Sequence, residues 1–140
     1  MTRAVLLDAN LLIGALDAEQ DNPQHAAARQ RLDALLADPQ VKLAISPLIR
    51  YEVLRGVRRV LPEKLEEILN DFHEFDVRAK DAVRAAELFR EAKARDKTFD
   101  KRQFDVFHCV CAELNRLEFD SQDGDVPKIQ ALMRELTAQD

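Results

Sequence analysis

Four carboxylates in the chain stand where acidic side chains can do chemistry as well as face water. Asp8 directly follows the apolar run Ala4-Val5-Leu6-Leu7. Glu52 lies about two turns into a segment with helical spacing. Asp105 opens the apolar stretch Phe104 to Asn115, and Asp123 lies just past Leu117 to Asp120. Carboxylates gathered in one pocket need a cation among them, because like charges a few ångströms apart raise one another's pKa and neutralise. Oxygen donors without His or thiolate favour Mg²⁺, with Mn²⁺ as its substitute, over zinc. Such a site suits phosphodiester hydrolysis, because a metal acidifies a bound water and offsets charge on the phosphoryl oxygens. The last position stays open: Asp120, Asp123 and Asp125 compete for one role, and most of the 26 acids are solvated helix faces.

Other reactive side chains read more plainly. His108 lies one turn beyond Asp105, where a partly buried packing histidine is the commoner occupant than a metal-facing one. His25 and His73 fall on expected helix surfaces. Cys109 and Cys111 form neither a disulfide framework nor a Cys-x-x-Cys pair, and no adjacent cation activates them. Arg50, Arg55, Arg58 and Arg59 form a basic run around Glu52. Lys93, Arg95, Lys97, Lys101 and Arg102 form another before Asp105. Arg55 and Arg102 are the candidates for phosphate contact. One Tyr and no Trp make base stacking no obvious recognition device.

The elements that position these residues follow from apolar spacing. Arg3 to Leu7 reads as a strand buried on both faces, because its apolar run is continuous. Leu11 to Ala18 is helical. Asn22-Pro23 pairs an N-cap with a first-turn Pro and starts a helix to Ala37, burying Ala28, Leu32, Leu35 and Leu36. Val41 to Ile45 is a second strand. Ser46-Pro47 repeats the cap signal before a helix that buries Ile49, Val53, Val57 and Val60. Pro62 opens a helix carrying Leu65, Ile68, Leu69 and Phe72. Phe75 to Val77 is a very short strand, and Ala82 to Ala94 a helix with Val83, Ala86 and Phe89 inward. Lys97 to Arg102 is a polar loop. The helix Phe104 to Asn115 puts Phe107, Val110, Cys111 and Leu114 on one face. Leu117 to Asp120 is the last strand, Ser121 to Asp125 a turn, and Val126-Pro127 opens a final helix through Ile129, Leu132, Met133 and Leu136. Strands alternating with helices imply an α/β fold, a parallel sheet covered on both sides. Ligands of such sheets sit beyond the carboxyl ends of the strands, and the topology brings all four acids to that edge.

Composition agrees. The chain has 140 residues, the length of one domain, and is 46% hydrophobic. Its 21 basic and 26 acidic side chains give a net charge of −5, unlike a protein that coats a duplex by bulk charge. A nucleic-acid enzyme can still be acidic when its carboxylates hold metal. No apolar run nears the roughly 20 residues of a membrane span. The N-terminal run lacks the length and cleavage site of a signal peptide, and a reduced cytoplasmic compartment is the expectation.

Four segments together resemble the motifs of PIN domains. Leu6-Leu7-Asp8-Ala9-Asn10-Leu11-Leu12-Ile13 is similar to the first, and Ile45-Ser46-Pro47 through Tyr51-Glu52-Val53-Leu54-Arg55-Gly56 to the second. Phe104-Asp105-Val106-Phe107-His108-Cys109-Val110-Cys111-Ala112 resembles the third, and Phe119-Asp120-Ser121-Gln122-Asp123-Gly124-Asp125 the fourth. Order, spacing and length resemble the small VapC-like toxins. The resemblance implies a three-layer α/β/α sandwich around a short parallel sheet and an Mg²⁺-dependent ribonuclease. It places metal binding and water activation on Asp8, Glu52, Asp105 and Asp123, with Asn10, Ser46 and Ser121 as supporting polar groups. It also implies a homodimer and a small antitoxin protein as partner. The chain departs from the pattern at Ala9, where a hydroxyl is frequent, and at His108 and Cys109, where small aliphatics are commoner. A housekeeping nuclease of RNA processing shares this chemistry. A receiver-like signalling domain would need a late-strand Lys that the chain does not offer, and a fold that had lost catalysis would not keep all four acids.

Overall fold

The computed structural model describes residues 2–17, 21–97, 102–121 and 123–139. Four strands and seven helices alternate along them: β1 (Arg3–Leu7), α1 (Ala9–Leu16), α2 (Pro23–Ala37), β2 (Val41–Ile45), α3 (Pro47–Gly56), α4 (Pro62–Leu69), β3 (His73–Glu74), α5 (Ala79–Ala94), α6 (Gln103–Asn115), β4 (Glu118–Asp120) and α7 (Val126–Gln139). No helix among the described residues is long and apolar enough to cross a membrane.

All strand pairs are parallel, in the order β3-β2-β1-β4. The central strand β1 buries Val5, Leu6 and Leu7 almost completely, so successive side chains pointing to opposite faces are both covered. The crossovers through α1 to α4 carry the chain from β1 to β2 and on to β3, and α5 and α6 return it to β4 beside β1. Two cores result. One joins β1, the end of β2 and α1 to α4, and includes Cys111 and Ala112 from α6. The other packs α5, α6 and α7 together, and Phe119 of β4 touches both.

The caps form where the sequence signals them. Asn22 Oδ1 accepts from the Gln24 and His25 N–H groups, and Ser46 Oγ from that of Ile49. Asp8 caps α1 by accepting from the Ala9 N–H at 2.7 Å, which starts this helix two residues before the expected Leu11. Its expected end at Ala18 lies outside the described residues.

Several expectations shift. Leu36, expected inside, is 59% exposed, because it lies one helical step round from the buried Leu35. Phe72 follows α4, which ends at Leu69. The helix α3 stops at Gly56, and Val60 follows outside it. The chain leaves because Asp17 at the end of α1 draws the Arg58 and Arg59 N–H groups to its Oδ1. Gly56 also lets α3 approach α1 closely, since a Cβ there would meet Ile13 Cδ1 at 2.6 Å. The third strand is His73–Glu74 rather than Phe75 to Val77, so His73 sits on a strand and not on a helix. The Glu74 carboxylate is held there by both arms of Arg50, and the Phe75 N–H still reaches the Ile45 carbonyl. In α5 the inward face carries Asp81, Ala85, Leu88 and Ala92, whereas Val83 is 60% exposed and Ala86 is exposed. This segment is apolar on two overlapping faces, and packing against α6 and α7 selects one of them.

Candidate active site

The carboxyl ends of β1 and β4 and the starts of α1 and α6 surround a cleft of about 420 Å³. Asp8, Asn10, Glu52, Arg55, Arg102, Gln103, Phe104, Asp105 and Asp123 line it. All four acids expected from the sequence therefore meet in one place, brought from four separated segments.

Asp8 is the most rigidly held. It is buried, caps α1, and accepts a short hydrogen bond from the Ser121 hydroxyl on Oδ2. Burial raises its pKa above the ordinary carboxylate range, with the Glu52 charge adding to it, while the Ser121 bond, the His108 side chain and the Ala9 N–H oppose the rise. The same Ser121 hydroxyl accepts from the Asp123 N–H at 3.0 Å. One serine thus ties the first acid to the fourth.

Asp105 stands in the first turn of α6, half-buried at the back of the cleft. Its pKa is pushed up to about 6, first by burial and then by the charges of Asp8 and Asp123. Three carboxylates here share one guanidinium. Arg102 lies 2.6 Å from Asp125, 3.4 Å from Asp123 and 3.9 Å from Asp105.

The rivals for the fourth acid separate clearly. Asp120 pairs with Arg31 of α2 at 2.7 Å, and only its backbone carbonyl reaches the site, accepting from the Asp8 N–H. Asp125 turns to Arg102 and Lys128, and its carbonyl accepts from Lys128 and Ile129 at the start of α7. Asp123 alone of the three lines the cleft.

Of the supporting polar groups, Asn10 lines the cleft and Ser121 approaches its Oδ1 at 3.5 Å. Ser46 is buried and acts through its cap on α3, the helix that carries Glu52. Of the described members of the two basic runs, Arg55 and Arg102 line the cleft. Arg50 is engaged by Glu74, and Arg95 by Glu135 and Glu91. Lys101 lies outside the described residues.

The residue that sequence reasoning underrated is His108. It is fully buried, as a packing histidine would be, yet its Nε2 lies 2.6 Å from Glu52 Oε1 and 3.9 Å from Asp8 Oδ1. One ligand atom from each of Asp8, Glu52 and His108 fits within 4.8 Å of the others, so these three side chains can hold a metal ion. A nitrogen thus stands among the carboxylate oxygens of the cleft, within hydrogen-bond distance of Glu52. The signal was present in the sequence: residues three apart on a helix share a face, and His108 stands three after Asp105. The neighbouring thiols take no such part. Burial pushes the pKa of Cys109 and of Cys111 up, which leaves them as packing groups.

Comparison with known proteins agrees with this arrangement. Residues 5–132 match the family described as PIN domain. The structure is similar to a toxin-antitoxin complex from Klebsiella pneumoniae, with a TM-score of 0.64 and 24% identity over 85% of this chain and 86% of that one. It is similar to VapBC2 from Rickettsia felis bound to a DNA fragment from its promoter, with a TM-score of 0.66 and 17% identity over 89% and 92%. DNA-bound VapBC from Salmonella typhimurium gives a TM-score of 0.56 and 16% identity over 86% and 98%. These likenesses are in the fold. No curated protein matches the chain.

Proposed function

The chain belongs to the PIN domain family, and from that premise we propose that it is a metal-dependent endoribonuclease acting as the toxin of a toxin–antitoxin pair. The observation that carries the nuclease reading is the convergence of Asp8, Glu52, Asp105 and Asp123 on one cleft. A pocket that buries Asp8 and raises the pKa of Asp105 to about 6 is short of positive charge, as a cation site is before it is filled. The residues fit a divalent ion: Asp8 and Glu52, with His108 beside them, offer atoms within 4.8 Å of one another, and Asp105 and Asp123 line the same cleft and would complete the hold on Mg²⁺, or Mn²⁺. Such an ion, when bound, acidifies water and neutralises charge on a phosphoryl oxygen.

The chain's own groups then have distinct tasks. Ser121 and the Ala9 N–H fix the Asp8 carboxylate, and His108 orients that of Glu52. Arg55 and Arg102 flank the acids and would receive the phosphates on either side of the scissile bond. The membership favours a nuclease over a receiver-like domain.

The toxin assignment draws on the likeness to the three toxin–antitoxin structures, and it implies a small antitoxin partner, a homodimer, a single-domain chain and action in the cytoplasm. A housekeeping nuclease would differ in target and partner. The test is incubation of the protein with total RNA plus Mg²⁺, with and without EDTA, followed by mapping of the cuts. EDTA should stop cleavage, Asp8→Asn should stop it without unfolding the protein, and the product of a neighbouring short gene should suppress it. Full cleavage by a folded Asp8→Asn protein would remove the metal-site reading.

A further inference from the structure

We propose that Tyr51, Phe104 and Arg55 form a stacking subsite for an unpaired RNA base beside the acid cleft; this rests on the RNA reading above. Tyr51 is the chain's only tyrosine, and it is 50% exposed. The other large apolar side chains left in water among the described residues, Leu36, Leu61, Val77 and Val83, line no part of the cleft. Tyr51 instead touches two residues that do. Phe104 meets its ring edge-on, with centroids 6.0 Å apart and planes at 68°. Arg55, one turn along α3, lays its guanidinium over the ring, 5.2 Å from the centroid. Phe104 in turn meets the His108 ring at 6.4 Å, so flat groups run from the surface rim to the acids.

The chemistry of this group points to a nucleobase. A half-exposed aromatic ring beside a guanidinium offers a flat π-face and a cation together, the pairing on which single-stranded bases stack. Arg55 supplies positive charge where the acids would otherwise repel the RNA backbone. Stacking needs only a π-face, so the subsite is tolerant of base identity. It takes single strands rather than duplexes, whose base faces are already covered.

The chain offers a direct probe. With one Tyr and no Trp, its intrinsic ultraviolet emission reports on Tyr51. The full protein is titrated with a short single-stranded RNA, with the same strand in a duplex, and with versions carrying one abasic position, in EDTA and in Mg²⁺. Single-stranded RNA should quench the emission, and the duplex and one abasic strand should not. Tyr51→Ala should weaken binding of the intact strand about tenfold, with no further loss on that abasic strand, while Tyr51→Phe stays close to wild type. If the protein cuts RNA but RNA leaves Tyr51 emission and Tyr51→Ala affinity unchanged, the subsite is overturned and the nuclease reading stands. If no RNA is bound or cut, both fall. If a protein partner or self-association quenches Tyr51 while RNA does not, Tyr51 is a protein contact and the subsite is again overturned.

Discussion

The Nε2 of His108 lies 2.6 Å from Glu52 Oε1, a hydrogen bond that ties α6 to α3 inside the acid cleft. An ionised carboxylate only accepts, so Nε2 is the donor of this bond. The other ring nitrogen, Nδ1, is buried with no hydrogen-bond partner among the described residues. A histidine that ligates metal normally donates its other nitrogen to an acceptor, which Nδ1 does not find here. The geometry therefore favours His108 as a group that orients Glu52.

The first prediction follows from this bond. His108→Ala should lower RNA cleavage about 10- to 100-fold, the usual cost of losing a partner that orients a metal-binding side chain. Glu52→Gln should cost at least as much. Glu66→Gln and Glu67→Gln, on the exposed face of α4, should leave cleavage unchanged. Cleavage rates for the four variants decide the point, and equal losses from all three glutamates would deny Glu52 a special place.

Acidity at Asp105 gives a second expectation. Its pKa rises from 3.8 to about 6 in the folded protein, so the folded state holds this proton more tightly than the unfolded chain. Below pH 4 both states are protonated and the group contributes nothing. As pH rises from about 4 to 6 the folded protein loses stability, and above 6 it carries the full penalty. Asp8 shifts in the same direction. In EDTA the Tm of wild type should therefore fall relative to Asp105→Asn across this window. Relief of roughly 1 kcal/mol corresponds to about 3–5 °C in a domain of this size. Mg²⁺ should narrow the gap at pH 7. Parallel Tm curves for the two proteins would contradict the buried, crowded carboxylate.

The fourth acid can be tested by single Asn substitutions at Asp120, Asp123 and Asp125. Only Asp123→Asn should abolish metal-dependent cleavage, because Asp120 is spent on Arg31 and Asp125 on Arg102 and Lys128. Asp120→Asn loses one partly exposed ion pair, worth about 0–1 kcal/mol. Loss of cleavage in that variant, with Asp123→Asn active, would reassign the site.

Arg102 has two roles to separate. Without metal its single charge offsets part of the repulsion among Asp123, Asp125 and Asp105, so Arg102→Ala should lower the Tm in EDTA. If it also meets an RNA phosphate, the salt dependence of single-strand binding should lose about 0.7 in slope. An unchanged slope would confine Arg102 to the protein's own acids. Arg55→Lys keeps the charge and should keep the slope, while weakening binding through the lost planar contact over Tyr51.

Local rules made much of this protein legible in its sequence. The unbroken apolar run Val5 to Leu7 specified a central strand, because only a strand covered on both faces can bury every residue. Asn22-Pro23 and Ser46-Pro47 marked helix starts through side chains that bond the first free N–H groups. Asp8, Glu52 and Asp105 were readable as a set because Asp8 follows a strand, Asp105 opens a helix and Glu52 lies on the helix after the second strand, all of which the parallel topology brings to one edge.

What only the tertiary structure decided is which of several equal local options is used. The helix α5 carries two overlapping apolar faces, and contact with α6 and α7 selects the one through Ala85 and Leu88. Three aspartates end or follow β4, and Arg31 and Arg102, distant in sequence, draw two of them away. His108 looked like core because burial is all that helical period reports, and its partner Glu52 lies 56 residues earlier. Tyr51 looked ordinary because Phe104 comes from a separate helix. Period and capping act over a few residues of chain, whereas electrostatic and aromatic pairing act through space, and the fold alone sets which side chains are close enough to pair.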